Sequence, residues 1–132
     1  MLSRDNNIVI KYNKKTVIGL SEEVIIFGPK NKKKKVMARI DTGATKSSID
    51  IQLAADLALG PILKAALIRS ASGTGLRPVV ESRIEFADKD ITAEFSLADR
   101  SHMKFPVLIG QNILKEGFLV DPAKKTEEWE LQ

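Results

Sequence analysis

Asp41 closes a mostly apolar run, Val36-Met37-Ala38-Arg39-Ile40, and is followed at once by Thr42, Gly43 and Ala44. A carboxyl that works as a general acid or base needs its pKa moved toward the working pH. Setting two carboxyls against each other does this directly, because both cannot ionise at that distance. Such a pair requires backbone segments that approach closely. Gly43 permits an approach that a Cβ would block, Thr42 offers a hydroxyl to brace the loop, and Ala44 keeps the wall small. Asp-Thr-Gly occurs once in the 132 residues. A carboxyl pair therefore takes its second Asp41 from a second copy of the chain, with a two-fold axis between two identical loops. The plainer reading of the same residues is a turn after a strand.

Little else in the chain offers chemistry. Cysteine is absent, which excludes a disulfide framework and thiolate catalysis. One histidine, His102, stands in "DRSHM" without an HExxH pair, so no zinc site is expected and His102 reads as a loop residue making a local hydrogen bond. Asp99 and Arg100 read as an ion pair at the surface or a strand end. No G-x-x-x-x-G-K-[ST] loop is present, and no cofactor is expected. The formal net charge of +4 owes much to "PKNKKKK", with Lys30 and Lys32 to Lys35. This run reads as a solvated hairpin tip; no aromatic residues interleave to stack on bases, so nucleic acid is not an expected partner. The first residues lack the apolar core of a signal peptide and no apolar stretch is long enough to span a membrane, so the expected compartment is the cytoplasm.

The elements that must position Asp41 are mostly short strands. "TVIGL" and "EEVIIFG" are β-branched runs, and "KKVMARID" (34–41) is the strand that delivers Asp41. "SSIDIQLAADLALG" (47–60) shifts to helical spacing and predicts a helix of about three turns. "ILKAALIRSA" (62–71) is ambiguous, with strand expected from Leu67 onward, and "SGTG" (72–75) reads as a loop. "RPVVESRIEFA" and "ITAEFSLAD" alternate across a tight turn at "DKD" (88–90). "FPVLIG" (105–110) suits a buried strand, "QNILKEG" one or two helical turns, and "FLVDP" a final strand. The whole predicts a mainly β fold, a small barrel or sandwich with one or two short helices. Residues 1–15 read as an extension or edge strand, 16–123 as the domain and 124–132 as a polar tail.

Two marks give the chain a family likeness. "ARIDTGA" resembles the active-site signature of retropepsin-like aspartic proteases. "PVLIGQNIL" (106–114) resembles the strand that runs beside the catalytic loop of that fold and leads into a short helix. Together with "IGLSEEVIIFG", "LADRSHMKFPVLIGQNIL" and "FLVDP", they resemble a prokaryotic retropepsin-like family that has carried the label ATP-dependent zinc protease, whose members occur near ATP-grasp amino-acid ligases. The likeness covers roughly residues 16 to 123.

The resemblance implies a closed acid-protease barrel with one lobe per chain, assembled as a homodimer that cuts peptide or protein substrates. Asp41 would be the catalytic aspartate. Thr42 would brace the two loops, and Gly43 and Ala44 would contact the substrate backbone. Leu108, Ile109 and Gly110 would form the strand behind the loop, and a flap would come from Ser72, Gly73, Thr74 and Gly75 within "SASGTGLRP". In the retroviral pattern an Arg follows the second glycine and pairs with an acid beyond the catalytic Asp. Here those positions are Gln111 and Thr45, which implies a different local brace. The alternative is a non-catalytic dimeric module of the same fold that grips peptides. A phosphate-binding loop of the sugar-kinase type is a distant third, since that fold needs more than twice this length.

Overall fold

The computed structural model describes residues 9–70 and 73–125. Ten strands and two short helices follow one another as β1 (Ile10–Tyr12), β2 (Lys15–Ile18), β3 (Ser21–Phe27), β4 (Lys33–Ile40), β5 (Ser47–Asp50), α1 (Ile51–Asp56), β6 (Lys64–Ser70), β7 (Gly73–Phe86), β8 (Lys89–Ala98), β9 (Val107–Ile109), α2 (Gln111–Leu114) and β10 (Phe118–Val120). The large sheet runs β3-β4-β9-β5-β8-β7-β6, and a further β3–β7 pairing joins its flanks. Six strands thereby close into a barrel, and closure removes the sheet edges that would otherwise recruit other chains. β6 pairs only with β7 and stands outside the ring. A second sheet, β1-β2-β10, sets the last strand parallel to β2.

Alternation explains why the barrel closes. Along β7, Val80, Ser82, Ile84 and Phe86 are buried while Glu81, Arg83 and Glu85 are exposed. Each apolar side chain taken inside contributes about 2 kcal/mol relative to leaving it in water. The core gathers Val24 and Ile26 from β3, Ala38 and Ile40 from β4, Phe95 from β8, and Val107 and Ile109 from β9. β9 lies between β4, to which it is parallel, and β5, to which it is antiparallel. The strand that ends at Asp41 is thus supported from inside the sheet, with Ile40 opposite Ile109.

Five local expectations change. The helix expected over 47–60 splits: Ser47–Asp50 is a strand with Ser47 and Ile49 buried, and only Ile51–Asp56 is helical. Pairing with β8 and β9 outweighs helical spacing there. Asp50 then starts α1, its Oδ2 accepting from the N–H groups of Gln52 and Leu53 at 3.1 and 3.4 Å. "SGTG" is not a loop: Gly73, Thr74 and Gly75 lie in β7, opposite Ser70, Arg69 and Ile68. Ser72 falls outside the described residues. β6 begins at Lys64 rather than near Leu67. The lysine run is only partly a hairpin tip. Lys33 to Lys35 belong to β4, paired with Phe27, Ile26 and Ile25. The β7–β8 turn comes one residue early, at Ala87 and Asp88, both with positive φ, which matches the twist of the flanking strands.

Candidate active site

Asp41 follows the last residue of β4, and its geometry is set from two sides. Its backbone N–H donates to the Ile109 carbonyl at 2.9 Å, extending the β4–β9 ladder by one residue. Its Oδ1 accepts from the Gly43 N–H at 2.9 Å, a bond between near neighbours that turns the carboxylate toward its own loop. The Ala44 N–H closes the turn on the Asp41 carbonyl at 3.3 Å. The carboxyl is half-buried, while Thr42 and Gly43 are exposed. Ala44 is half-buried.

The demand for glycine differs between the two glycines of the site. A Cβ at Gly43 would come 3.3 Å from Asp41 Oδ1 and meet nothing else within this chain. A Cβ at Gly110 would collide with the Lys46 carbonyl oxygen, and would lie 2.7 Å from the Lys46 carbonyl carbon and 2.8 Å from the Ala44 oxygen. Backbone cannot give way like a side chain, so Gly110 is what lets β9 and the Asp41 loop touch.

Behind this contact lies a polar network within an otherwise apolar barrel. Ser47 is fully buried, and its hydroxyl accepts from the Gly110 N–H at 2.9 Å and donates to Asn112 Oδ1 at 2.7 Å. Asn112 Nδ2 donates to the Glu94 carbonyl at 3.0 Å, and Ser96 Oγ reaches the Ser47 carbonyl at 3.4 Å. Both polar atoms of the Asn112 amide and the Ser47 hydroxyl are thereby satisfied, as burial demands. Asn112 and Ser47 were not singled out in the sequence. The signal for Asn112 was slight, an amide directly after Gly110-Gln111, and Ser47, between Lys46 and Ser48, carried none.

Leu108, Ile109 and Gly110 lie beside the Asp41 loop, two of them in register with β4. Gly73, Thr74 and Gly75 lie far along the β6–β7 hairpin, exposed and paired with Ser70, Arg69 and Ile68 of β6. The expected Asp99–Arg100 ion pair does not form. Asp99 instead accepts from the hydroxyl and N–H of Ser101, which hold its carboxyl below the usual range. Arg100 is buried, with Nε donating to the Phe105 carbonyl at 3.0 Å and its backbone N–H donating to Asp50 Oδ1 at 2.8 Å. Burial pulls its guanidinium below the ordinary range, opposed by the nearby Asp50 charge, and Asp41 also lies within electrostatic reach. The two residues separate because the chain turns at Ser101 and sends Arg100 inward. His102 sits exposed in that turn. Among the described residues no group of three or more His, Cys, Asp or Glu side chains is placed to hold a metal ion, and no helix is long and apolar enough to cross a membrane.

A closed six-stranded barrel with an Asp-Thr-Gly loop braced by a buried strand defines a retropepsin-like protein, and solved structures share this fold. EIAV protease in complex with the inhibitor HBY-793 aligns over 81% of this chain and 93% of its own, with a TM-score of 0.60 and 18% identity. A Legionella pneumophila protein of unknown function (DUF785) aligns over 83% of this chain and 95% of its own, with a TM-score of 0.58 and 22% identity. The protease of simian foamy virus aligns over 72% of this chain and 91% of its own, with a TM-score of 0.51 and 17% identity. No curated protein is significantly similar in sequence. The RimB-like family model, described as retropepsin-like aspartic endopeptidase RimB, matches residues 52–128, more than half of the chain. The chain belongs to this family.

Proposed function

We propose that this protein is an aspartic endopeptidase that works as a homodimer, with one Asp41 from each chain. The observation that carries this reading is the Asp41 loop itself. A half-exposed carboxylate is fixed through both its backbone, on Ile109, and its side chain, on Gly43, at the mouth of a retropepsin barrel. One such loop per chain calls for a second chain.

In the dimer the two carboxyls share a proton and hold a water between them. The ionised Asp41 takes a proton from the water as its oxygen attacks the scissile carbonyl carbon. The protonated Asp41 gives its proton to the carbonyl oxygen, which forms a gem-diol. The C–N bond then breaks as the leaving nitrogen takes the proton that the first Asp41 drew from the water, and the gem-diol returns a proton to the second Asp41 as the new carboxyl forms. The pair titrates as a unit, so its apparent pKa values belong to both residues together. Thr42 braces the loops across the axis, and Gly43 and Ala44 face the substrate backbone. The substrate binds as an extended strand, covered by the β6–β7 hairpin.

A second reading is a dimeric peptide-binding module without turnover. It is favoured by one fact: the family match begins at residue 52, beyond the Asp41 loop, and so does not rest on Asp41. The deciding experiment is cleavage of a mixed peptide library by wild type and Asp41→Asn, from about pH 3.5 to about 8. Chelator is present throughout, and dimerisation is followed by light scattering. Cleavage by wild type alone supports the aspartic dyad. Cleavage by both proteins overturns it, and silence from a confirmed dimer moves the reading to the binding module.

A further inference from the structure

Gln111 and Asn112 hold three carbonyls of the Asp41 loop. Gln111 Nε2 donates to the Thr42 carbonyl at 2.7 Å, the Gln111 N–H to the Ala44 carbonyl at 2.8 Å, and the Asn112 N–H to the Thr45 carbonyl at 3.2 Å. Two of these bonds come from the backbone at the start of α2 and would survive most substitutions. The third comes from a side chain, and it grips the peptide unit that links Thr42 to Gly43. That same unit supplies the Gly43 N–H that orients Asp41 Oδ1. A rotation of this peptide would turn its carbonyl away from Gln111 and its N–H away from Asp41 together.

We infer that Gln111 is a positioning residue of the proposed peptidase: its side-chain amide fixes the Thr42–Gly43 peptide, and through it the direction of the Asp41 carboxylate. The clamp lies wholly within one chain. It is built from uncharged groups, where the retroviral pattern has an ion pair. The aim of the carboxylate is therefore set before a second chain arrives, and no member of the clamp titrates over the pH range in which carboxyls do. Because Gln111 and Thr42 are both exposed, water can satisfy the Thr42 carbonyl when the amide is removed. The bond therefore adds little to stability, and its loss is felt at the site.

This inference rests on the peptidase reading, and the test separates the two. Gln111→Leu and Gln111→Glu are compared with wild type for kcat and KM on a cleaved peptide, for thermal midpoint, and for amide hydrogen exchange at Gly43 and Ala44. Gln111→Leu is expected to lose about 10- to 100-fold in kcat, with KM and midpoint nearly unchanged. Its Gly43 amide is expected to exchange at least about tenfold faster. In Gln111→Glu a protonated carboxyl can donate to the Thr42 carbonyl and an ionised one cannot. Its share of the wild-type kcat should therefore fall as pH rises through about 4.3, a limb the Leu variant lacks. The charged groups on the two segments in contact are Asp41 and Lys46 on the loop and Lys115 and Glu116 after α2, and all are common to the three proteins. Full kcat in Gln111→Leu, or unchanged Gly43 exchange, overturns the inference. If wild type cuts no peptide, the peptidase reading fails, and the exchange result alone decides whether Gln111 positions the loop.

Discussion

The Asp41 loop and the far end of the β6–β7 hairpin are both rich in small residues, yet they are held in opposite ways. The loop is only six residues long between β4 and β5. Its backbone is bonded at Asp41, Thr42, Ala44 and Thr45, and Gly110 is pressed against it from behind. The outer part of the hairpin is a two-stranded ribbon of β6 and β7. From Ala65 to Ser70, and from Gly73 to Pro78, the strand pairing among the described residues is that of β6 with β7. Leu67 is 60% exposed and Leu76 72% exposed, on a ribbon with little buried surface to hold it in one place. An isolated two-stranded ribbon is marginal in water. The proposed peptidase uses both: fixed chemistry at the loop, and a ribbon that closes over the substrate. Glycine serves different ends in the two places: close contact at Gly110, and absence of side-chain packing at Gly73 and Gly75, whose surroundings are open.

This contrast breaks if the loop tolerates change or the ribbon does not. The largest effect is expected at Asp41. Asp41→Asn keeps an oxygen for the Gly43 N–H but cannot share a proton, so cleavage should fall by at least about a thousandfold. Its thermal midpoint should stay near wild type, as read by calorimetry. Gly110→Ala comes next. With the Lys46 and Ala44 backbone pressed against the new Cβ, unfolding in urea should show a loss of about 3 kcal/mol or a protein that does not fold. Ser47→Ala strands the Gly110 N–H and frees Asn112, and the same titration should show a loss of about 2 kcal/mol. The smallest change in stability is expected on the ribbon. Leu67→Ser and Leu76→Ser should shift unfolding by less than about 0.5 kcal/mol. If the ribbon covers the substrate, the same variants raise KM with kcat little changed. A ribbon variant that unfolds the protein would show that this arm is part of the core, and the comparison would fall.

Much of the barrel could be read from residue order. The alternation in β7 and β8, the apolar run of β9, and Asp-Thr-Gly at the end of β4 are local patterns, and local patterns carry period and turn chemistry. Three things could not be read from spacing, two of them because a distant strand outweighs it. Ser47–Asp50 is strand and not helix because β8 and β9 flank it. Lys33 to Lys35 are strand because β3 pairs with them. Arg100 is buried because the chain turns at Ser101, and no neighbour in sequence announces that. At the site, Asp41 and Gly110 were visible as residue types at a spacing. Their brace was not. The carbonyls of Thr42, Ala44 and Thr45 are met by groups nearly seventy residues away, and the buried Ser47 hydroxyl finds Gly110 and Asn112 only once the barrel has closed. The sequence alone offered the residues whose types and spacing could carry chemistry. Tertiary structure decided what holds them still, because hydrogen-bond partners across a barrel are set by register and closure and not by any pattern along the chain.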